Sequence, residues 1–289
     1  MNFKNAENRS QVYETWRRLK KSRTAVIGLI LIFILVTVAI IAPLLYDYNN
    51  DIIKQNIKER MQKPSLAHPF GTDEFGRDIL GRIIYGARIS LIIGVTSCLL
   101  CGSIGIILGV VAAYYGGMIE NVIMRFSDIL MAIPSILLAI VIVAAFGVNL
   151  FNIIIAVGVA TIPQYIRITR ASVLTVINQE YIEAAHSIGA KTPRILFRHI
   201  LTNCFAPIMV QATLRIATVI AEAASLSFLG LGVPAPTPEW GAMLAGGRAY
   251  MREYPHLVLF PGLAIAFTIL SLNLIGDGLR DALDPKLKK

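Results

Sequence analysis

Apolar residues along this chain gather into runs that exclude charge, separated by shorter polar stretches. Residues 25–45, 89–119 and 129–166 contain no Asp, Glu, Lys or Arg. Crossing the hydrocarbon core of a bilayer takes about 20 apolar residues in a helix, because a helix satisfies its own backbone hydrogen bonds where no water is present. The first run predicts one span and the second predicts one tilted span. The third is too long for a single crossing, and Phe146-Gly147-Val148-Asn149 divides it into two. A fifth span is expected over residues 206–229, where Arg215 and Glu222 interrupt the apolar pattern, and a sixth over 257–276. The pattern therefore predicts an all-α integral membrane protein with six transmembrane helices. The first run follows 24 mostly polar residues and no small-x-small pattern ends it, so it is expected to stay as an anchor rather than serve as a cleaved signal.

Composition agrees with that reading. Of 289 residues, 55% are apolar and only 16% charged, against roughly 25% charged in an ordinary globular chain. Too few polar side chains remain to coat a water-facing surface, which excludes a secreted disulfide scaffold, a disordered tail and a soluble nucleic-acid binder. The net charge of +9 then reads as basic flanks on one side of a bilayer. With six spans, one side receives 17 Lys and Arg, from the N-terminal segment, the Arg125 loop, the loop between spans four and five, and the C-terminal tail. The other side receives nine. Both termini are expected to be cytoplasmic. Seven of the outer nine fall in residues 46–88, offset there by six carboxylates.

Three connecting stretches carry information. Residues 47–67 read as an exposed external excursion. His68 to Asp78 is turn-rich and leads into Ile79, Leu80, Ile83 and Ile84, apolar at helical spacing between Arg77, Asp78 and Arg82. That pattern fits either an amphipathic helix lying at the membrane surface or a loop packed on the bundle. Between spans four and five, Tyr181, Ala184, Ala185 and Ile188 fall at i, i+3, i+4 and i+7 and predict one apolar stripe with small residues at its centre. Gly189 should end that helix through a positive φ, and Thr192-Pro193 should cap and begin a second. This helix-turn-helix fits a partner-docking face and equally a connector that covers the bundle's inner end. Between spans five and six, the Gly- and Pro-dense stretch from Gly230 to Gly241 predicts a re-entrant or capping loop on the outer side, with Trp240 and Tyr250 at the interface.

Recognisable catalytic chemistry is sparse. No Gly-Lys dipeptide occurs, so no Walker A loop is present, and neither a His-Glu-x-x-His helix nor a Gly-x-Ser-x-Gly turn appears. The four histidines are scattered, and Cys98-x-x-Cys101 lies in an apolar run where thiols serve as small packing residues. Glu222 is the only carboxylate deep within an expected span, with Arg215 seven residues earlier. It should point inward, either lining a pathway or tying two helices together. Asp128, three residues from Arg125, reads as a helix-end pair at the interface.

Four ordered blocks carry a family likeness. They are His68-Pro69-Phe70-Gly71-Thr72-Asp73 with Gly76-Arg77-Asp78; Glu183-Ala184-Ala185, Gly189 and His199-Ile200-Leu201; Leu226 to Gly232 with Pro238-Glu239-Trp240-Gly241; and Gly276 to Pro285. Together, from about Trp16 to Pro285, the chain resembles the C-type permease subunit of the dipeptide, oligopeptide and nickel ABC-importer family. It departs by Thr202 where the EAA loop commonly has proline, so the second helix of that loop should run smoothly into span five. Gly81 and Ala235 are further departures from the family pattern.

The resemblance implies a type I ABC-importer permease fold in a bacterial cell membrane. It implies a second homologous permease as heterodimer partner, two cytoplasmic ATPases that bind ATP and Mg, and an extracytoplasmic substrate-binding protein. No cofactor and no catalytic residue are expected in this chain. By the same likeness Glu183, Ala184, Ala185, Ile188 and Gly189 would contact an ATPase; Glu222 and Ser227 are the candidates for the translocation path or gate. The expected organisation is a basic segment 1–24, an anchor 25–45, an external segment 46–88, a permease core 89–276 and a tail 277–289. The core contains the coupling loop 171–203 and the outer loop 230–256. Peptides are the expected substrate, with nickel or a metal chelate as the alternative.

Overall fold

A computed structural model of the protein describes residues 16–283. Lys4, Arg9, Lys286, Lys288 and Lys289, counted above toward orientation, lie outside the described residues, as does Asp284-Pro285 of the last family block. Among the described residues the regular structure is helical apart from one isolated bridge, Thr72 to Asp78. The main helices are α1 (Arg23–Leu45), α2 (Ile79–Tyr115), α3 (Gly117–Ala132), α4 (Ser135–Phe146) and α5 (Leu150–Val159). They continue with α6 (Ile162–Val176), α7 (Glu180–Ser187), α8 (Leu201–Leu226), α9 (Trp240–Gly247) and α10 (His256–Leu283).

Four continuous helical runs are long and apolar enough to cross a membrane: α1, α2, Thr192–Leu231 containing α8, and α10. The pairs α3–α4 and α5–α6 are bent by 91° and 44°, and counting each pair as one span gives six. Three expectations change here. The amphipathic segment 79–88 is not a separate surface helix. It is the first part of α2, which runs 37 residues without interruption, about 55 Å at 1.5 Å per residue. The third span breaks at Ile133-Pro134, where both residues take extended ψ of 127° and 133°. Proline has no N–H to give and pushes its predecessor out of the α region, so α3 and α4 part there. The fourth span continues past residue 166, placing Arg167 and Arg170 inside α6 rather than in a loop.

Those two arginines are neutralised by α3. Arg167 pairs with Asp128 at 2.7 Å, and Arg170 donates from Nε to Glu120 at 2.6 Å. Asp128 thus pairs across helices and not with Arg125.

At the centre of the bundle lies α2, which packs against α6, α8, α5 and α1, while α10 packs against α1 and α8. Close approach to α6 rests on glycine. A Cβ at Gly105 would stand 2.7 Å from the Ile162 carbonyl oxygen, which no other residue could tolerate without a shift. Cys98 and Cys101 are buried free thiols on this helix.

Candidate functional site

The inner connector begins with α7, eight residues long. Ile182 and Ala185 turn into a buried cluster with Val110 and Ala113 of α2 and Val173 of α6. Tyr181, Glu183, Ala184 and Ile188 face outward, Ile188 with 84% of its surface exposed. The single apolar stripe expected here is therefore split. Consecutive helical residues point about 100° apart, and that rotation sends Ala185 into the bundle and Ala184 away from it.

Gly189 takes φ +76°, its N–H donating to His186 O at 2.9 Å while Ala190 N–H reaches back to Ala185 O at 3.1 Å. No atom lies within 4 Å of a Cβ built at Gly189, so its requirement is conformational rather than steric. The next helical turn starts one residue earlier than expected, with Lys191 at the cap, no side-chain cap bond, and Pro193 in the first turn. From Thr192 the helix continues into α8 and on to Leu231.

A second constellation, on the far side of the bundle, escaped the sequence reading. Asp73, Arg77 and Arg82 are buried together at 5–6% exposure. Asp73 Oδ2 accepts from Arg77 Nε at 2.7 Å and lies 3.4 Å from Arg82 Nε, while Oδ1 accepts from the backbone N–H groups of Phe75 and Arg77. Arg82 also donates to the carbonyls of Ile52, at 2.9 Å, and Pro236, at 3.4 Å. One guanidinium thereby joins the external excursion, the start of α2 and the outer loop.

Next to it, Glu239 caps α9. Its oxygens accept from the N–H groups of Gly241 and Ala242 at 2.8 Å each and from Ser90 Oγ at 3.3 Å. Burial raises the Glu239 pKa, and those donors together with the Ser227 hydroxyl work in the opposite direction. Trp240, expected at the interface, is instead 1% exposed. It packs over Gly86 and donates from Nε1 to Ile83 O at 3.0 Å, so its one polar atom is satisfied inside.

Of the two pathway candidates, Ser227 is buried beneath the outer loop at 3% exposure. Glu222 is half-buried on α8 and accepts from Ser135 Oγ at 2.8 Å, tying α8 to α4. Arg215 reaches only Thr218 Oγ1, at 3.5 Å, and makes no ion pair with Glu222 among the described residues.

Residues 105–289 match the family described as binding-protein-dependent transport system inner membrane component, and residues 10–64 match the N-terminal TM domain of oligopeptide transport permease C. The chain is 49% identical over 278 residues to the dipeptide transport system permease protein DppC of Alkalihalophilus pseudofirmus, covering 95% of this chain and 90% of that one. It is 44% identical over 285 residues to the di/tripeptide transport system permease protein DppC of Pseudomonas aeruginosa, covering 96% and 93%. It is 47% identical over 284 residues to the glutathione transport system permease protein GsiD of Escherichia coli, covering 97% and 92%. Among solved structures, the inward-facing MetNI methionine ABC transporter shares the fold with a TM-score of 0.58 at 18% identity, over 70% of this chain and 97% of that one. With four to six candidate crossings and a family match over most of its length, the chain belongs to the inner membrane components of binding-protein-dependent transport systems, as a multi-pass C-type permease subunit of the bacterial inner membrane.

Proposed function

We propose that this subunit forms half of the translocation path of an ATP-driven importer of short peptides. The observation that carries the substrate class is what its relatives are named for transporting: dipeptides, di/tripeptides and glutathione, at 44–49% identity over nearly the whole chain. Nothing comparable favours nickel or a metal chelate. A second permease of the same kind completes the path, and an external binding protein delivers substrate to the side that carries the Asp73–Arg82 cluster and α9.

Two ATPase subunits, which hold ATP and Mg, drive the cycle from the opposite side, and one of them seats on α7. Tyr181, Glu183, Ala184 and Ile188 make that contact, Ala185 supports it from within, and Gly189 sets the turn. An exposed isoleucine beside a small alanine gives an apolar surface that a partner can approach closely, which supports this reading. Glu222 lies on the path, and Ser227 anchors the outer loop above it.

The test is ATPase stimulation of the reconstituted importer by its loaded binding protein, with short peptides and nickel supplied separately. Stimulation by peptides alone is expected. Stimulation by nickel alone overturns the substrate class.

A further inference from the structure

Five polar side chains share one line along α8. Gln211, Arg215, Thr218, Glu222 and Ser225 recur at alternating steps of four and three residues, the spacing that keeps side chains on one helix face. Thr218 and Ser225 are exposed and the other three half-buried, whereas Ala217, Ile220 and Ala224 on the remaining faces are buried. Thr218 donates to Arg215 O and Ser225 to Ala221 O, at 2.9 Å each, and exposed hydroxyls on α2 do the same. Thr96 donates to Ile92 O, and Ser103 donates to Leu99 O at 2.5 Å, among apolar neighbours. Such a face can meet lipid. The α8 line cannot, because it carries a guanidinium and a carboxylate.

These two charges do not cancel each other. Their positions on the helix are seven residues, about 10 Å, apart along the axis. The Arg215 guanidinium turns toward Thr218 Oγ1, 3.5 Å away, and no ion pair joins it to Glu222 among the described residues. Ser135 occupies only Oε1 of Glu222, and Oε2 accepts no hydrogen bond among the described residues.

We propose that this line is a wet rail for the two ends of a zwitterionic short peptide in transit, with Glu222 meeting the ammonium and Arg215 the carboxylate. The inference rests on the peptide reading above. Two or three extended residues span roughly 7–11 Å, which matches the spacing of the two positions along the helix. Thr218 lies between them, and Gln211 and Ser225 continue the polar line past each end.

The test uses the complete importer in vesicles, with its binding protein loaded to saturation by trialanine or by N-acetyl-trialanine. Glu222→Gln preserves an acceptor for Ser135 while removing the charge. It is expected to lower the maximal rate of trialanine uptake at least tenfold, leave KM for the loaded binding protein unchanged, and leave uptake of the acetylated peptide as in the parent protein. Arg215→Gln is expected to slow both peptides and Arg215→Lys to restore them.

Equal loss of both peptides in Glu222→Gln, unchanged trialanine uptake in either Gln variant, or separation of the permease pair overturns the rail. Separation would assign the line to the permease interface instead. A parent importer that takes up no trialanine overturns the peptide reading itself, which is distinct from a parent that transports while the variants remain indifferent.

Discussion

The Asp73 carboxylate has two guanidinium groups depending on it, and none of the three side chains reaches bulk water. Removing one partner of a buried ion network leaves the others desolvated without compensation, at a cost of about 3–5 kcal/mol. Asp73→Asn is therefore expected to lower the thermal midpoint of the purified importer by several degrees, while Asp51→Asn on the exposed excursion leaves it unchanged. Equal midpoints for the two variants would remove the network from the list of stabilising features. Nothing in the local sequence announces this cluster. Arg77 and Arg82 belong to a turn-rich stretch and the helix start after it, a pattern that fits a surface helix and a loop packed on the bundle equally. Nothing there marks them or Asp73 as buried. Their burial is set by the outer loop, whose Pro236 carbonyl arrives from 154 positions away. Glu222 was legible for the opposite reason, since a lone carboxylate in a long apolar run stands out from its neighbours.

At the scale of the element, charge-free runs located most of the spans but not their ends or bends. Arg88 ends the charge-free run when charges are counted, yet α2 begins at Ile79, where the Asp78 side chain caps it by accepting from Gly81 N–H at 2.7 Å. Proline is equally ambiguous when read locally. Pro43, Pro207 and Pro261 sit inside continuous helices, whereas Pro134 lies at the 91° bend. In the first three cases tertiary packing overrides the missing N–H; at Pro134 the chain turns instead. The connector α7 gives the sharpest contrast between neighbouring residues. Ala184→Phe is expected to leave the fold intact and deplete ATPase subunits from the purified importer. Ala185→Phe overpacks the cluster around Ile182 and Val173 and is expected to cost about 1–3 kcal/mol of stability. Matching losses of ATPase in both variants, without a difference in stability, would contradict the split face.

For the whole molecule, orientation in the membrane can be measured directly. A cysteine at Leu66, fully exposed on the excursion, is expected to react with a membrane-impermeant maleimide added outside intact cells. A cysteine at Ile188 is expected to react only after the membrane is opened. The reverse pattern would invert the topology. The native thiols Cys98, Cys101 and Cys204 are buried, which keeps the background low. The uninterrupted length of α2 has a mechanical consequence. Its first turns hold the Arg82 junction and the seat of Trp240, and its last turns, through Val110 and Ala113, press on Ile182 and Ala185 behind the inner connector. A helix of about 55 Å with no proline inside it has no built-in kink. A push delivered at one end would then emerge at the other as tilt or slide, which fits α2 for the part of a pushrod between these two junctions.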